Sequence, residues 1–200
     1  MDSRLHTCGA SALVSVTADR MGTSLARGAR LARVIVFTSF DDSLPRAGFD
    51  CGNEAVNRWF HEQAGQQERR DNARTTLGLA TMDSAIASFY SLVTHRIELD
   101  DAAQSHIFTA RRYPIPAMLI AQLAVDSRYQ GTGVGALTLG HALMTLARAS
   151  KSVGFEAVVV DAADDDAMQF YLKYGFQPLV ADTRRLVMST RQLRSSVDNV

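Results

Sequence analysis

Three alternating glycines, Gly131, Gly133 and Gly135, stand between two apolar segments of different period. Before them, Ile115 to Val125 is a continuous apolar run and reads as a strand buried on both faces. After them, Val134, Leu137, Leu143, Met144 and Leu146 recur at helical spacing, with no proline before Pro178. A strand, a glycine-rich turn and a helix bring unpaired backbone N–H groups together at a helix N-terminus. That arrangement binds anions, and glycine lets the backbone approach them closely. The turn is therefore expected to hold a phosphate or pyrophosphate.

Two common phosphate loops are excluded. No Gly-Lys-Ser/Thr follows, so this is not a nucleoside-triphosphate loop. The glycines lack the closing G-x-x-G of a dinucleotide fingerprint, and no acidic residue ends a second strand ~20 residues on. By themselves, alternating glycines are also compatible with a plain turn that lets a helix pack against a sheet.

The flanks add specificity. Gln130-Gly131-Thr132-Gly133-Val134-Gly135 matches the Gln/Arg-x-x-Gly-x-Gly/Ala signature of the GNAT acetyltransferases. The match extends back through Leu123-Ala-Val-Asp and forward to Phe170-Tyr171-Leu-Lys-Tyr-Gly-Phe176. Within that superfamily the chain most resembles the GNAT toxins of bacterial toxin–antitoxin pairs. The shared pieces are Phe49-x-Cys51-Gly52, Tyr90-Ser91-Leu92, Ile115-Pro116 and Phe170-Tyr171. The resemblance covers roughly residues 35 to 190.

The resemblance implies an α/β GNAT fold, a mixed sheet whose central strand is bulged and splays from its parallel neighbour. The pantetheine arm of acetyl-CoA would pair with Leu123, Ala124 and Val125. Its pyrophosphate would sit on the turn formed by Gln130, Gly131, Thr132, Gly133, Val134, Gly135 and Ala136. Tyr171 matches the family's tyrosine that faces the CoA sulfur and protonates the departing thiolate. Read without the resemblance, Tyr171 belongs to the apolar stripe Ala167, Phe170, Tyr171 and Tyr174, so a core tyrosine is the competing reading. Tyr174 is expected to be structural. A backbone N–H near Val125 is a candidate oxyanion donor.

No general base stands out. Gln122 cannot act as one, Asp126 sits at a turn position, and His95, His106 and His141 carry no motif. An α-amino group titrates near ~8, and an aminoacyl ester lower still, so such an acceptor needs little help. A lysine amine, near ~10.4, would need a base more. This fits the toxins the chain resembles, which acetylate the amino acid on charged tRNA. An aminoacyl-tRNA acceptor predicts a basic surface beside the thioester, with steep salt dependence, which Arg46, Arg58, Arg69, Arg70, Arg74, Arg96, Arg111, Arg112 and Arg128 could provide if they cluster. The resemblance also implies an antitoxin with a ribbon-helix-helix part and a disordered tail that covers the site. A homodimer is left open. The competing functions are acetylation of a small amine or a protein N-terminus, and a CoA-binding interaction domain without turnover.

The remaining composition sets bounds. Two hundred residues suit one domain, and 46% hydrophobic content is ordinary for a globular chain. With 21 basic and 21 acidic side chains, net charge does not announce a nucleic-acid binder. Cys8 and Cys51 have no metal-ligand spacing and read as free thiols in a reducing, cytoplasmic setting. Asp164, Asp165 and Asp166 suit a helix N-terminus and imply no metal. No run approaches the ~18 apolar residues of a membrane span.

Residues 1–33 are arginine-rich and aperiodic, and read as a mobile tail or an upstream extension, with Met21 as another start. Residues 34–190 are the expected domain, and 191–200 a frayed polar tail. Its expected elements are a strand at 34–37, a helix after Asn53, strands at 75–81 and 86–93, an irregular loop at 95–112, then strand, helix, strand, helix and two strands.

Overall fold

The structure is a computed structural model that describes residues 35–81, 83–105, 107–108 and 112–198. The N-terminal extension, His106 and Arg111 lie outside the described residues. The first strand, β1, spans Ile35–Ser39. Helix α1, Glu54–Arg58, follows a loop and is capped by Asn53, whose side chain accepts the Ala55 and Val56 N–H groups. One π-helical turn, Trp59–Gln63, joins α1 to α2, Ala64–Arg69. Strands β2, Arg74–Ala80, and β3, Ile86–Ile97, form the expected hairpin. Helix α3, Leu99–Gln104, occupies part of the segment read as irregular, with Asp100 and Asp101 in its first turn.

The central strand β4, Ile115–Val125, leads through a 3-10 turn, Ser127–Tyr129, into α4, Val134–Ala149. Strand β5, Ala157–Asp161, and α5, Asp165–Lys173, come next. Asp164 caps α5 by accepting the Ala167 N–H, which accounts for the aspartate run. The described chain ends with β6, Gln177–Pro178, β7, Arg185–Ser189, and α6, Thr190–Asp198.

These strands form one mixed seven-stranded sheet in the order β1-β2-β3-β4-β5-β7-β6. Only β4 and β5 pair in parallel, as a strand–helix–strand unit requires. One face is covered by α4, α5 and α6 over Tyr90, Ile120, Val158, Val160 and Met188. The other carries Phe60 and Ala64, from the first helical segment, packed on Leu77, Phe89 and Ala124.

Two expectations are corrected. β4 is not buried along both faces. Ile115, Ala117, Ile120 and Ala124 are buried, but Met118, Leu119 and Ala121 to Leu123 are only partly so. Residues 190–198 are a docked helix rather than a frayed tail. Leu193 is wholly buried in the core, Arg194 holds the Ser150 hydroxyl and carbonyl, and Gln192 donates to the Gly175 carbonyl. Two apolar positions, Leu193 and Val197, were too short a stripe to announce a helix.

Candidate active site

The glycine turn is open and correctly strained. Gly131 and Gly133 have φ of 69° and 91°, a region that side chains rarely adopt. Gly133 stands at the N-cap of α4, which no side chain caps. No described residue accepts the N–H groups of Gly131 to Ala136; the first N–H of this segment to find an acceptor is Leu137, on the Gly133 carbonyl. These groups fit a diphosphate, which would supply the missing acceptors.

Gly135 serves a different purpose. A Cβ placed there would lie 3.7 Å from both Val125 and Phe170, so it is where α5 packs against the start of α4. Gln130 does not reach outward. Its amide donates to the Val125 and Cys51 carbonyls, each at 2.9 Å, and its side chain is thereby committed to joining two loops. Thr132 likewise turns its hydroxyl onto the Tyr129 carbonyl.

The splay expected beside the turn is present. Pairing of β4 with β5 runs from Ala117↔Ala157 to Ile120↔Val160 and stops. Across β4, the register with β3 steps from Leu92↔Ile120 to Ser91↔Gln122, which leaves Ala121 as a bulge. Leu123, Ala124 and Val125 then pair with β3 alone, so their other edge faces a gap. An extended arm with amide groups can add to such an edge.

Tyr171 lies on α5 with its ring 7% exposed, edge-on to Phe170 and Phe176. Burial pushes its phenol up to about 12. Its hydroxyl has no partner among the described residues. Nor is it one of the wholly buried unpaired atoms, which are His95 Nε2 and Thr190 Oγ1. The ring belongs to the core. Since Phe170 rests on Gly135, the phenol is held beside the start of α4. Tyr174 packs half-buried on Phe170 at 5.0 Å, away from that role.

The histidines are engaged elsewhere. His141 Nδ1 meets the Tyr90 hydroxyl at 2.9 Å and its ring stacks on Phe37. His61 Nε2 lies 3.0 Å from the Phe49 carbonyl. His95 is level with Ala117, four residues before the bulge, ~13 Å away along the strand. Asp126 is 1% exposed in its side chain and bound by Arg128 and the Asp50 N–H. Burial would raise its carboxyl, but these hydrogen bonds outweigh that and hold it below the usual range. Asp161, the residue after the last β4–β5 pair, is a carboxylate at the gap, and Arg185 holds both its oxygens.

The family of acetyltransferase (GNAT) domains matches residues 97–178, which contain the bulge, the turn and Tyr171. Over those residues the chain is similar to GNAT acetyltransferase domains. It is 28% identical to the probable toxin TacT of Sinorhizobium fredii, over 75% of this chain and 87% of that one. It is 29% identical to the tRNA-acetylating toxin of Mycobacterium tuberculosis, over 74% of this chain and 88% of that one. A solved mutant of KacT shares the fold with a TM-score of 0.74 and 24% identity, over 81% of this chain and 98% of that one. AtaT complexed with acetyl-methionyl-tRNAfMet does so with a TM-score of 0.73 and 24% identity, over 82% and 99%.

The chain does not gather its described arginines into one unpaired patch. Arg46 and Arg69 share Asp42, Arg74 holds Asp71 and Glu68, Arg96 holds Glu98, and Arg128 holds Asp126. Of the expected set, Arg58, Arg70 and Arg112 are exposed and have no ion pair among the described residues. A cavity of about 370 Å³ opens beside Asp101, Asp161, Leu179, Val180, Arg184 and Arg185. Its charges are balanced: Arg185 grips Asp161 with two bonds, and Arg184 holds Asp165. A second cavity, about 710 Å³, lies near Phe155 and Thr190 at the start of β5, the opposite end from the turn.

Sequence reading missed the lacing around Asp50. Its side chain accepts from Gly52 and Asn57, while its carbonyl accepts from Ser127. These partners are 2 to 77 residues away, and no local pattern encodes such a crosslink. Among the described residues no group of three or more His, Cys, Asp or Glu could hold a metal, and no helix is long and apolar enough to cross a membrane.

Proposed function

We propose that this chain is an acetyl-CoA-dependent N-acetyltransferase that acetylates the α-amino group of aminoacyl-tRNA, a toxin that blocks translation in the cytoplasm. The observation that carries it is the conjunction of the open β4 edge, the unpaired amides of Gly131 to Ala136, and the Tyr171 phenol beside them. Pantetheine would lie along Leu123 to Val125, with the diphosphate on the turn.

The chemistry then divides simply. The neutral amine attacks the thioester carbonyl, forming the new C–N bond. The oxyanion is met by a backbone N–H near Val125. On collapse the C–S bond breaks, the nitrogen's extra proton leaves to water, and the sulfur departs as a thiolate. A thiol titrates near ~8.5, well below the Tyr171 phenol, so full proton transfer is uphill. Tyr171 therefore acts first as a hydrogen-bond donor to the developing thiolate, which it stabilises in a water-poor site. Its proton is always present, because burial disfavours the phenolate.

The acceptor assignment is supported by the lack of a ready base among the described residues and by the similarity to a tRNA-acetylating toxin. An amine that is already neutral near pH 7 suits such a site. A paired antitoxin is part of the same reading, and a similar toxin, AtaT, is known bound to the C-terminus of the antitoxin AtaR. The test is incubation with radiolabelled acetyl-CoA and a mixture of charged tRNAs. Label should enter a charged tRNA and stay with the amino acid after the ester is cleaved. Label in none of them overturns the assignment.

A further inference from the structure

The splayed segment has two sides. The glycine turn and Tyr171 belong with α4 and α5, so the cofactor approaches from their side. An acceptor amine must reach the thioester through the gap from the opposite face. That face carries Ala124, packed in one cluster with Phe89, Phe60, Phe49 and Trp59.

Trp59 is the only tryptophan of the chain. It opens the π-helical turn, in which the Ala64 N–H bonds back to the Trp59 carbonyl. Such turns insert one residue into a helix and often mark functional positions. Here Phe60 and Ala64 are both fully buried, while Trp59 is only partly buried. Its ring lies nearly parallel to Phe89, at 6.0 Å and 13°, and Phe60 stacks on Phe89 at 4.0 Å and 7°. Phe89 is the register partner of Ala124. The indole N–H has no partner among the described residues, and Arg58 beside it is exposed without an ion pair.

We infer that Trp59 is the stacking platform for the 3′-terminal adenine of the acceptor tRNA, an inference that rests on the reading above. The reactive amino acid is esterified to the ribose of that nucleotide. Stacking its base on a ring held rigid by Phe89 would fix the ester over the gap, with Arg58 near the adjoining phosphate. Stacking also suits a face whose other arginines are mostly paired, since it needs no unpaired charge.

The test uses the full chain with acetyl-CoA bound, and reads the fluorescence of Trp59 directly. The trinucleotide CCA should quench it saturably, and the same trinucleotide lacking its terminal base should not. Trp59→Ala should raise KM for charged tRNA about 5- to 100-fold, and Trp59→Phe much less. Acetyl-CoA affinity serves as the folding control. Equal responses to the two trinucleotides, or an unchanged KM in Trp59→Ala, overturn the inference while leaving tRNA acetylation standing. Quenching by CCA alone with no transfer of label to charged tRNA supports the platform and removes the proposed activity instead.

Discussion

The Gln130 side-chain amide donates to the Cys51 carbonyl at 2.9 Å, across 79 residues of sequence. The same nitrogen donates to the Val125 carbonyl at the end of β4. The glycine turn and the entry to α1 are therefore one mechanical unit. Gln130→Leu removes both donors and strands two carbonyls. It should lower stability by ~1–3 kcal/mol. It should also raise KM for both acetyl-CoA and the acceptor, since the two loops lose their common register. Steady-state kinetics with each substrate varied in turn would check this; a change confined to one KM would break the argument.

The glycines should separate into two kinds. Gly133→Ala forces a side chain to a φ of 91° and adds ~1–2 kcal/mol of strain, which falls where the amides must converge. Acetyl-CoA affinity should drop about tenfold or more, by the same ~1.4 kcal/mol per decade. Gly135→Ala meets only ordinary contacts at 3.7 Å and should be nearly neutral. Isothermal titration of the two variants makes the comparison.

Tyr171→Phe deletes a hydroxyl that has no described partner, so folding should be almost unaffected. kcat should fall about 100-fold or more with little change in acetyl-CoA binding. Tyr174→Phe is the matched control and should stay within a few-fold of wild type. Expression of the wild-type chain should arrest growth, and Tyr171→Phe should relieve it.

His141 makes stability depend on pH. Burial, then the nearby Arg148, lowers its imidazole below the usual 6.5 in the folded state. The unfolded chain therefore binds its proton first as pH falls. The stabilising contribution is complete above about 6.5 and is lost as pH drops through the lowered folded value. His95 is shifted in the same direction, by burial and by Arg185, and adds to the effect. Denaturant midpoints at pH 7.5 and 5.5 should differ, and His141→Gln should narrow the difference.

Leu193→Ala should cost ~2–5 kcal/mol, because the side chain is fully enclosed between α6 and the core. Thermal unfolding would show it. A variant as stable as wild type would mean that the last helix is dispensable after all.

The reaction end of the molecule was the most legible in sequence. Ile115 to Val125, the glycines and the helical stripe after them obey local periodicity, and the structure places β4, the turn and α4 on those residues. The capping aspartates before α5 were equally readable, because caps are local chemistry. Long-range geometry was not. The tie that Gln130 makes between two loops depends on where Cys51 arrives in space. The pairing of Arg69 with Asp42, 27 residues away, depends on the fold as well. A π turn leaves no mark on composition, so nothing in the sequence set Trp59 apart. The helix at 190–198 hid because side-chain hydrogen bonds, rather than an apolar face, hold much of it.

The early end of β4–β5 pairing at Ile120 leaves the native sheet with an unfinished seam. A cosubstrate that stitches this seam binds the folded chain and not the unfolded one, so it adds RT ln(1 + [L]/Kd) to stability. The persistence of the folded enzyme would then track the supply of CoA and its thioesters, since both carry the arm that fills the seam.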